Sequence, residues 1–218
     1  MINGILLIHG FCGARDEIRP LYNWLLSENY EISMPVLTGH EQDNKILSKA
    51  KYKDWINDVT KAYEALEKKC NNITVIGFSM GGLLACMLYK KHRFERLITI
   101  NTPIYYWDIK RILLNLSSDP KKYLKKYFRA STNKPFNSLI EFVKLLNNTK
   151  KDFSKIECPA LVIQALDDDT VNIKSGDYIY KSLKSREKKI YSPEKGGHII
   201  LTSDYHTDIL EKIQNFIK

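Results

Sequence analysis

Residues 73–87 read ITVIGFSMGGLLACM. The run from Ile73 to Ile76 is mostly apolar and β-branched, and it is short enough for one buried strand. It leads into a Gly-x-Ser-x-Gly pattern centred on Ser79, and an apolar segment of helix-forming residues follows directly. This order predicts a strand, a sharp turn and a helix, with the hydroxyl of Ser79 pushed out of the sheet. The turn leaves no room for side chains two positions before and after the serine, which explains glycine at positions 77 and 81.

The helix predicted behind Ser79 directs unsatisfied backbone amides and its positive dipole end at the turn. Such an environment stabilises the negative charge that develops in acyl transfer. A glycine-bordered turn in an ordinary strand–helix unit is the alternative interpretation of the same five residues. The flanking strand and helix favour the interpretation in which the serine reacts.

Length and composition predict one globular domain of ordinary size, with room for one insertion. The chain has 218 residues, of which 44% are hydrophobic and 27% are charged. The first residues contain no basic region followed by a long apolar run, and the run from Ile5 to Ile8 is too short for a signal peptide or a membrane span. We therefore expect a cytoplasmic location.

Cys12, Cys70, Cys86 and Cys158 are scattered, without a Cys-x-x-Cys pair or a histidine at ligand spacing. This pattern is typical of free thiols rather than of a zinc site or a disulfide framework. We expect no metal and no organic cofactor.

The net charge of +9 is concentrated in one part of the chain. Twelve lysines and arginines but only three acidic residues lie between Lys110 and Lys155, and the rest of the chain has equal numbers of both. The positive charge therefore belongs to a local segment. We expect no nucleic-acid partner.

Apolar runs alternate with helical patterns along the chain. The runs predict strands at 5–8, 32–36, 73–76, 97–100, 159–165 and 189–191, and helices at 16–29, 52–70, 80–92, 171–183 and from an N-cap at Ser203 to Ile217. This alternation predicts an α/β fold with a mostly parallel sheet of about six strands, covered on both faces. Reactive groups of such folds lie at the carboxyl ends of the strands, where Ser79, the aspartates 167–169 and His198 all fall.

A serine hydroxyl needs a general base to become a nucleophile, and the base needs an orienting carboxylate. The chain order Ser79, an aspartate near 168, then His198 is the order found in α/β-hydrolases. The chain resembles that superfamily, and within it the small bacterial carboxylesterases related to monoacylglycerol lipases. Four pieces carry the resemblance: His9-Gly10-Phe11, Gly77 to Gly82, the stretch from Val162 through Asp168 to Asn172, and Gly197 to Ile200.

The resemblance implies a three-layer α/β-hydrolase fold and a set of site residues. Ser79 would be the nucleophile, His198 the general base and then acid, and Asp168 the orienting carboxylate. The backbone amides of Phe11 and Met80 would form the oxyanion hole. The family's spacing selects Asp168, Asp169 is the alternative, and Asp167 is expected to be a solvated loop charge. His9 is expected to support the oxyanion loop rather than to take part in the chemistry.

The stretch 104–155 interrupts the alternation with helical patterns only, so it predicts a small helical cap between core segments 1–103 and 156–218. In the superfamily that this chain resembles, an insertion here covers the nucleophile. Aromatic and aliphatic side chains of the insertion would then line an acyl pocket, or would only dock the cap on the core: Tyr105, Trp107, Leu113, Tyr123, Phe128, Phe136 and Phe142. Its basic face is expected to be solvated surface, and weak contact with an anionic lipid surface is the alternative.

The residues predict a serine hydrolase. The resemblance implies that it cleaves carboxylic esters with short to medium acyl chains, among them monoacylglycerols. A thioesterase or a lysophospholipase with the same triad is the alternative within hydrolases. A ligand-binding protein that keeps the fold without catalysis is the alternative from another class, although it would have no reason to keep all three triad residues.

Overall fold

The computed structural model describes residues 2–11, 13–41, 44–105 and 135–218. In these ranges one sheet contains six strands, all parallel, in the order β2-β1-β3-β4-β5-β6. The strands are β1 (Asn3–Ile8), β2 (Tyr30–Ser33), β3 (Asn72–Phe78), β4 (Arg96–Ile100), β5 (Ala160–Ile163) and β6 (Lys188–Tyr191). The predicted sheet is thus confirmed in strand number and direction.

Helices connect the strands and cover both faces of the sheet. Within the described ranges they are α1 (Arg19–Leu26), α2 (Asn44–Lys49), α3 (Tyr52–Glu67), α4 (Met80–Tyr89), α5 (Phe136–Thr149), α6 (Lys174–Ser182) and α7 (His206–Ile217), with short 3-10 helices at Arg15–Glu17, Lys150–Lys155 and Ile200–Thr202. None of these described helices has the length and apolar character that a membrane crossing requires.

Two apolar layers result from the alternation of side chains along the strands. In β1, Leu6 and Ile8 pack with α3, α4, α5 and α6, whereas Ile5 and Leu7 face α1 and α7 on the opposite side. Because both faces are covered, the four central strands β1, β3, β4 and β5 contain largely continuous apolar runs. The edge strands β2 and β6 are more polar and only partly buried. The predicted three-layer α/β-hydrolase architecture is confirmed.

The strand register brings the ends of the central strands to one edge. Ile8 pairs with Gly77, and Ile100 pairs with Phe78 on one side and with Ile163 on the other. The chain segments that follow β1, β3, β4 and β5 therefore start side by side. This edge is where the sequence placed the reactive groups.

Several predicted boundaries differ from those of the structure. Strand β2 spans Tyr30–Ser33 rather than 32–36. Helix α6 begins at Lys174 rather than at Val171, because the preceding residues still belong to the loop that surrounds Asp168. Ser203 is not the N-cap of the last helix, since its hydroxyl bonds back to the carbonyl of Ile200 and the helix begins after Tyr205. Helix α2 was not predicted.

The predicted cap at 104–155 lies mostly outside the described residues, as do Trp107, Leu113, Tyr123 and Phe128. Its boundaries stay a prediction. In the described part, helix α5 packs against α3 and α4. Phe142 is fully buried there, and Phe136 is 74% exposed. Phe142 therefore docks its helix on the core.

Candidate active site

Ser79 occupies a strained turn between β3 and α4. Its backbone has φ 50° and ψ −120°, a left-handed conformation that a non-glycine residue rarely adopts. A Cβ on Gly77 would lie 2.4 Å from the backbone of Gly81, and a Cβ on Gly81 would lie 2.2 Å from the carbonyl oxygen of Ile8. The close approach of backbone to backbone therefore requires both glycines, as the sequence predicted.

The hydroxyl of Ser79 is turned towards a histidine rather than towards its own helix. Ser79 stands at the N-cap of α4 but makes no side-chain cap hydrogen bond, although serine commonly does so at this position. Its Oγ instead lies 3.1 Å from Nε2 of His198, and only 5% of the residue is exposed. The serine and the histidine, 119 positions apart in sequence, are in direct contact.

The other ring nitrogen of His198 faces a buried carboxylate. Nδ1 lies 3.0 Å from Oδ2 of Asp168, whose exposure is 0%. Oδ1 of Asp168 accepts the backbone N–H groups of Thr170 and Val171 at 2.9 and 2.8 Å, so backbone donors fix the orientation of the carboxylate. A carboxylate accepts hydrogen bonds and cannot donate, so Nδ1 carries the proton and Nε2 presents a lone pair to the hydroxyl of Ser79.

The two aspartates beside Asp168 face other groups. The carboxylate of Asp169 accepts the hydroxyl of Thr170 at 3.1 Å. Asp167 is exposed, as predicted, but it is not merely a solvated charge: its two oxygens accept the backbone N–H groups of Gly196 and Gly197. Asp167 thus holds the loop that carries His198, a contact between residues about thirty positions apart.

The two predicted oxyanion-hole residues lie at neighbouring strand ends. Met80 is the first residue of α4, where a helix leaves its backbone N–H groups without intrahelical partners. Phe11 follows β1, and its ring stacks on Phe142 with centroids 4.9 Å apart and contacts Trp55 edge-on. Phe142, which the sequence placed in a pocket wall or a docking surface, therefore supports the segment that carries the Phe11 amide.

His9 is built into the same segment. Its ring is fully buried, Nδ1 donates to the carbonyl of Gly10 at 2.9 Å, and Nε2 accepts the backbone N–H of Leu37 at 3.3 Å. Burial lowers the pKa of His9, so the ring stays neutral and can accept at Nε2. These contacts agree with the supporting role that the sequence predicted for His9.

Sequence reasoning missed Asn101, a fully buried residue directly after β4. Its amide nitrogen donates to the carbonyls of Gly197 and His198. Gln164 was noted only as part of a motif, and its amide nitrogen lies 3.3 Å from Oδ2 of Asp168. The sequence could have indicated a role for Asn101 and Gln164, because each is a polar side chain at the carboxyl end of a predicted strand.

In the described ranges, no three His, Cys, Asp or Glu side chains come together in a way that could hold a metal ion. Cys70, Cys86 and Cys158 are free and buried, and Cys12 lies outside these ranges. Burial raises the pKa of the Cys86 thiol well above its ordinary value and that of Cys158 to about 12. Cys86 and Cys158 therefore remain protonated and act as small apolar side chains.

Comparison with known proteins gives matches over most of the chain. A thermostable monoacylglycerol lipase from Bacillus sp. (strain H-257) is 30% identical over 213 residues, which cover 93% of this chain and 84% of that enzyme. A carboxylesterase from Bacillus subtilis (strain 168) is 24% identical over 219 residues, covering 95% of this chain and 89% of that enzyme. A solved structure from work on two metagenome-derived lipolytic enzymes, LipS and LipT, has a TM-score of 0.85 at 23% identity and covers 99% of this chain and 93% of its own.

The family model described as the alpha/beta hydrolase fold matches residues 3–144. This range contains β1 to β4, the strained turn at Ser79 and the segment of Phe11. The fold, the turn and the relatives all agree, and the chain belongs to the α/β-hydrolase family.

Proposed function

We propose that this protein is a serine hydrolase of carboxylic esters, with Ser79 as nucleophile, His198 as general base and then acid, and Asp168 as orienting carboxylate. One observation carries the assignment of residues: Oγ of Ser79 lies 3.1 Å from Nε2 of His198, and Nδ1 of His198 lies 3.0 Å from Oδ2 of Asp168. The esterase and lipase relatives support the same reaction class.

The first half of the reaction forms an acyl-enzyme. Oγ of Ser79 attacks the ester carbonyl carbon while Nε2 of His198 takes the hydroxyl proton. The imidazolium that forms is stabilised by the buried carboxylate of Asp168. The tetrahedral intermediate then collapses, the proton passes from His198 to the leaving alcohol oxygen, and the acyl group stays on Ser79.

The negative charge of the tetrahedral intermediate falls on the former carbonyl oxygen. The backbone N–H groups of Phe11 and Met80 are the proposed donors to this oxygen. A donor of this kind typically stabilises the transition state by about 3–4 kcal/mol. The positive end of the α4 dipole adds to the same effect, because Met80 begins that helix.

Water completes the cycle. His198 removes a proton from the water as its oxygen attacks the acyl carbon, and the proton then returns to Oγ of Ser79 as the carboxylic acid leaves. Every proton moves through one imidazole. The described site therefore accounts for both halves of the reaction with groups of this chain.

The proposed substrates are esters with short to medium acyl chains, and monoacylglycerols are included because a relative that is 30% identical bears the name of a monoacylglycerol lipase. The same three residues would also cleave a thioester, whose leaving thiol needs less assistance from an acid. Matched series of esters and thioesters with increasing acyl length separate these two activities. The cytoplasmic location and contact of the basic insertion with anionic lipid stay predictions.

The test is hydrolysis of p-nitrophenyl butyrate by the purified protein. We expect a burst of nitrophenol followed by steady turnover, and a loss of both in Ser79→Ala. Ser27→Ala is the matched control, because that serine lies at the end of α1, where its hydroxyl donates to the carbonyl of Trp24. If neither esters nor thioesters of any length are turned over, the chain is a binding protein and the proposal is wrong.

A further inference from the structure

His198 lies in a loop whose own sequence does not restrict its backbone conformation. Its two preceding residues are glycines with φ values of 137° at Gly196 and 64° at Gly197. The space where a Cβ of Gly197 would lie is open, with no atom within 4 Å. Glycine backbone is free to adopt many conformations, so contacts from outside the loop must fix its geometry.

Asn101 supplies such contacts from the end of β4. Its Nδ2 donates to the carbonyl oxygens of Gly197 and His198, at 3.0 and 2.8 Å. Its Oδ1 accepts the backbone N–H of Ala165 at 2.9 Å and Nε2 of Gln164 at 3.4 Å. The side chain is fully buried and uses both donors and both acceptor positions. It therefore ties the histidine loop to the strand end from which the Asp168 loop departs.

Asp167 holds the same loop from its exposed side. Its Oδ1 accepts the N–H of Gly197 at 2.7 Å, and its Oδ2 accepts that of Gly196 at 3.2 Å. The N–H of Gly197 thus goes to Asp167 and the carbonyl of Gly197 goes to Asn101. The two peptide groups that flank this glycine are each held by a side chain from a different strand end.

We propose that Asn101 and Asp167 are positioning residues that form a clamp on the His198 loop and set the distance of the imidazole from Ser79 and Asp168. The inference rests on the proposed function. Neither residue acts on the reacting atoms: each acts through the backbone next to His198. The clamp replaces the rigidity that two consecutive glycines cannot provide.

The requirements at position 101 explain why asparagine is there. The backbone has φ 47°, a left-handed conformation that asparagine and aspartate tolerate better than most side chains. Two carbonyl oxygens and one backbone N–H must be satisfied at once, which takes donors and an acceptor in one short side chain. Aspartate has nearly the same shape and the same backbone tolerance but places an oxygen against the carbonyls of Gly197 and His198.

The first experiment compares Asn101→Asp and Asn101→Gly with Thr99→Val. Thr99 lies on the same strand, is 1% exposed, and its hydroxyl has no hydrogen bond among the described residues, so Thr99→Val is a matched buried control. We expect kcat on p-nitrophenyl butyrate to fall by about 100-fold in both Asn101 variants, as a displacement of catalytic groups by about 1 Å would cause. KM should stay within about twofold of wild type, because the substitution acts on the position of the imidazole in the transition state rather than on binding of the ester. Thr99→Val should keep full activity.

The second experiment uses the exposed half of the clamp, where substitution leaves the core intact. Asp167→Asn and Glu194→Gln each remove one exposed charge close to the loop, but only Asp167 bonds to the loop backbone. We expect Asp167→Asn to lower kcat by about fivefold without a change in melting temperature, since a smaller displacement of the imidazole results. Glu194→Gln should behave like wild type.

A readout that does not need turnover separates this inference from the proposed function. The ring Cε1–H signal of His198, assigned by its loss in His198→Gln, should be sharp in wild type and shifted or broadened in Asn101→Asp, Asn101→Gly and Asp167→Asn. If wild type turns over no ester but these signals change, the clamp stands and the enzyme assignment fails. Unchanged signals together with kcat within twofold of wild type in Asp167→Asn and in the folded Asn101 variants would overturn the clamp.

Discussion

Replacing Asp168 with asparagine changes one oxygen into an NH₂ group and should reverse the proton position on His198. Oδ1 of Asp168 accepts two backbone N–H groups at 2.9 and 2.8 Å, so the amide oxygen of the variant must remain on that side. The NH₂ group then faces Nδ1 of His198, where Oδ2 stood. A donor at this place requires a lone pair on Nδ1, which moves the ring proton to Nε2. The nitrogen that faces Ser79 can then no longer accept the hydroxyl proton.

The size of the loss follows from this change of tautomer. In serine hydrolases with the same relay, the corresponding substitution keeps the geometry but lowers kcat by about 10⁴-fold. At about 1.36 kcal/mol for each factor of ten, this loss corresponds to about 5.4 kcal/mol of transition-state stabilisation. The NH₂ group would also meet Nε2 of Gln164, another donor, which lies 3.3 Å from Oδ2 in the native chain. The neighbouring amide therefore gives the wrong tautomer no compensation.

The assay is the kcat for p-nitrophenyl butyrate at neutral pH, with Ser79→Ala as the background rate. A thermal melt followed by circular dichroism shows whether the variant is folded. Asp169→Asn is the matched control, because its carboxylate bonds to the hydroxyl of Thr170 and lies next to Asp168 in sequence. We expect that control to retain activity within about threefold of wild type, because the carboxylate that faces Nδ1 of His198 is that of Asp168.

Two results would refute this reasoning. One is a folded Asp168→Asn variant that keeps more than a tenth of the native kcat, since that would mean that the carboxylate does not set the tautomer. The other is a loss of activity in Asp169→Asn equal to that of Asp168→Asn. That outcome would make Asp169, the alternative that the sequence left open, the orienting residue.

Two further predictions concern the segment that contains Phe11, one of the two proposed oxyanion donors. Phe142→Ala should lower the free energy of unfolding by about 3–5 kcal/mol and also reduce kcat, because the fully buried ring of Phe142 supports Phe11. Phe136→Ala is the control: the ring of Phe136 is 74% exposed, so its loss should lower the free energy of unfolding, measured in urea, by less than about 0.5 kcal/mol. Equal losses in the two variants would contradict the assigned packing. Burial lowers the pKa of His9. Below about pH 6.5 the unfolded chain therefore binds a proton at His9 more readily than the folded chain does, and the free energy of unfolding should fall as the pH drops. Urea midpoints at pH 7.5 and 5.5 should differ less in His9→Gln than in wild type, and an identical pH dependence would show that this ring is not responsible.

The sheet could be predicted from the sequence because its physical signal is local. Central strands of a parallel sheet that is buried on both faces are apolar along most of their length, so each of them is visible in a few residues. The edge strand β2 is more polar, and its bounds were predicted less well. The turn at Ser79 is equally local, since Gly77 and Gly81 are required by contacts that form within the same strand–turn–helix unit or with the neighbouring strand. Predictions of this kind need no knowledge of distant parts of the chain.

The helix boundaries depended on contacts that the sequence does not display. Ser203 has the residue type of an N-cap, but its hydroxyl bonds to the preceding 3-10 turn instead. The residues from Val171 have helical spacing, yet the backbone N–H of Val171 donates to the carboxylate of Asp168, and the helix begins only at Lys174. In both cases a local preference gave way to a specific hydrogen bond.

The clamp residues were missed or misjudged for a related reason. Asn101 contacts a loop that is almost one hundred positions away, and an isolated asparagine after a strand carries no periodic pattern. Asp167 stands beside two other aspartates, so residue type alone could not separate a loop anchor from a solvated charge. Phe142 lies at helical spacing among apolar residues, and that pattern is the same for a pocket wall and for a core contact. Only the fold distinguishes these cases.

The contact between Gly81 and the end of β1 limits how this enzyme can be re-engineered. A Cβ at this glycine would lie 2.2 Å from the carbonyl oxygen of Ile8. Main chain therefore packs directly against main chain between the two segments that contain the proposed oxyanion donors. No side chain separates them, so no substitution can widen or narrow that gap by a graded amount. Variants with a new acyl preference must therefore carry substitutions in the surrounding side chains. The backbone geometry between the two segments with the proposed oxyanion donors stays the same in all of them.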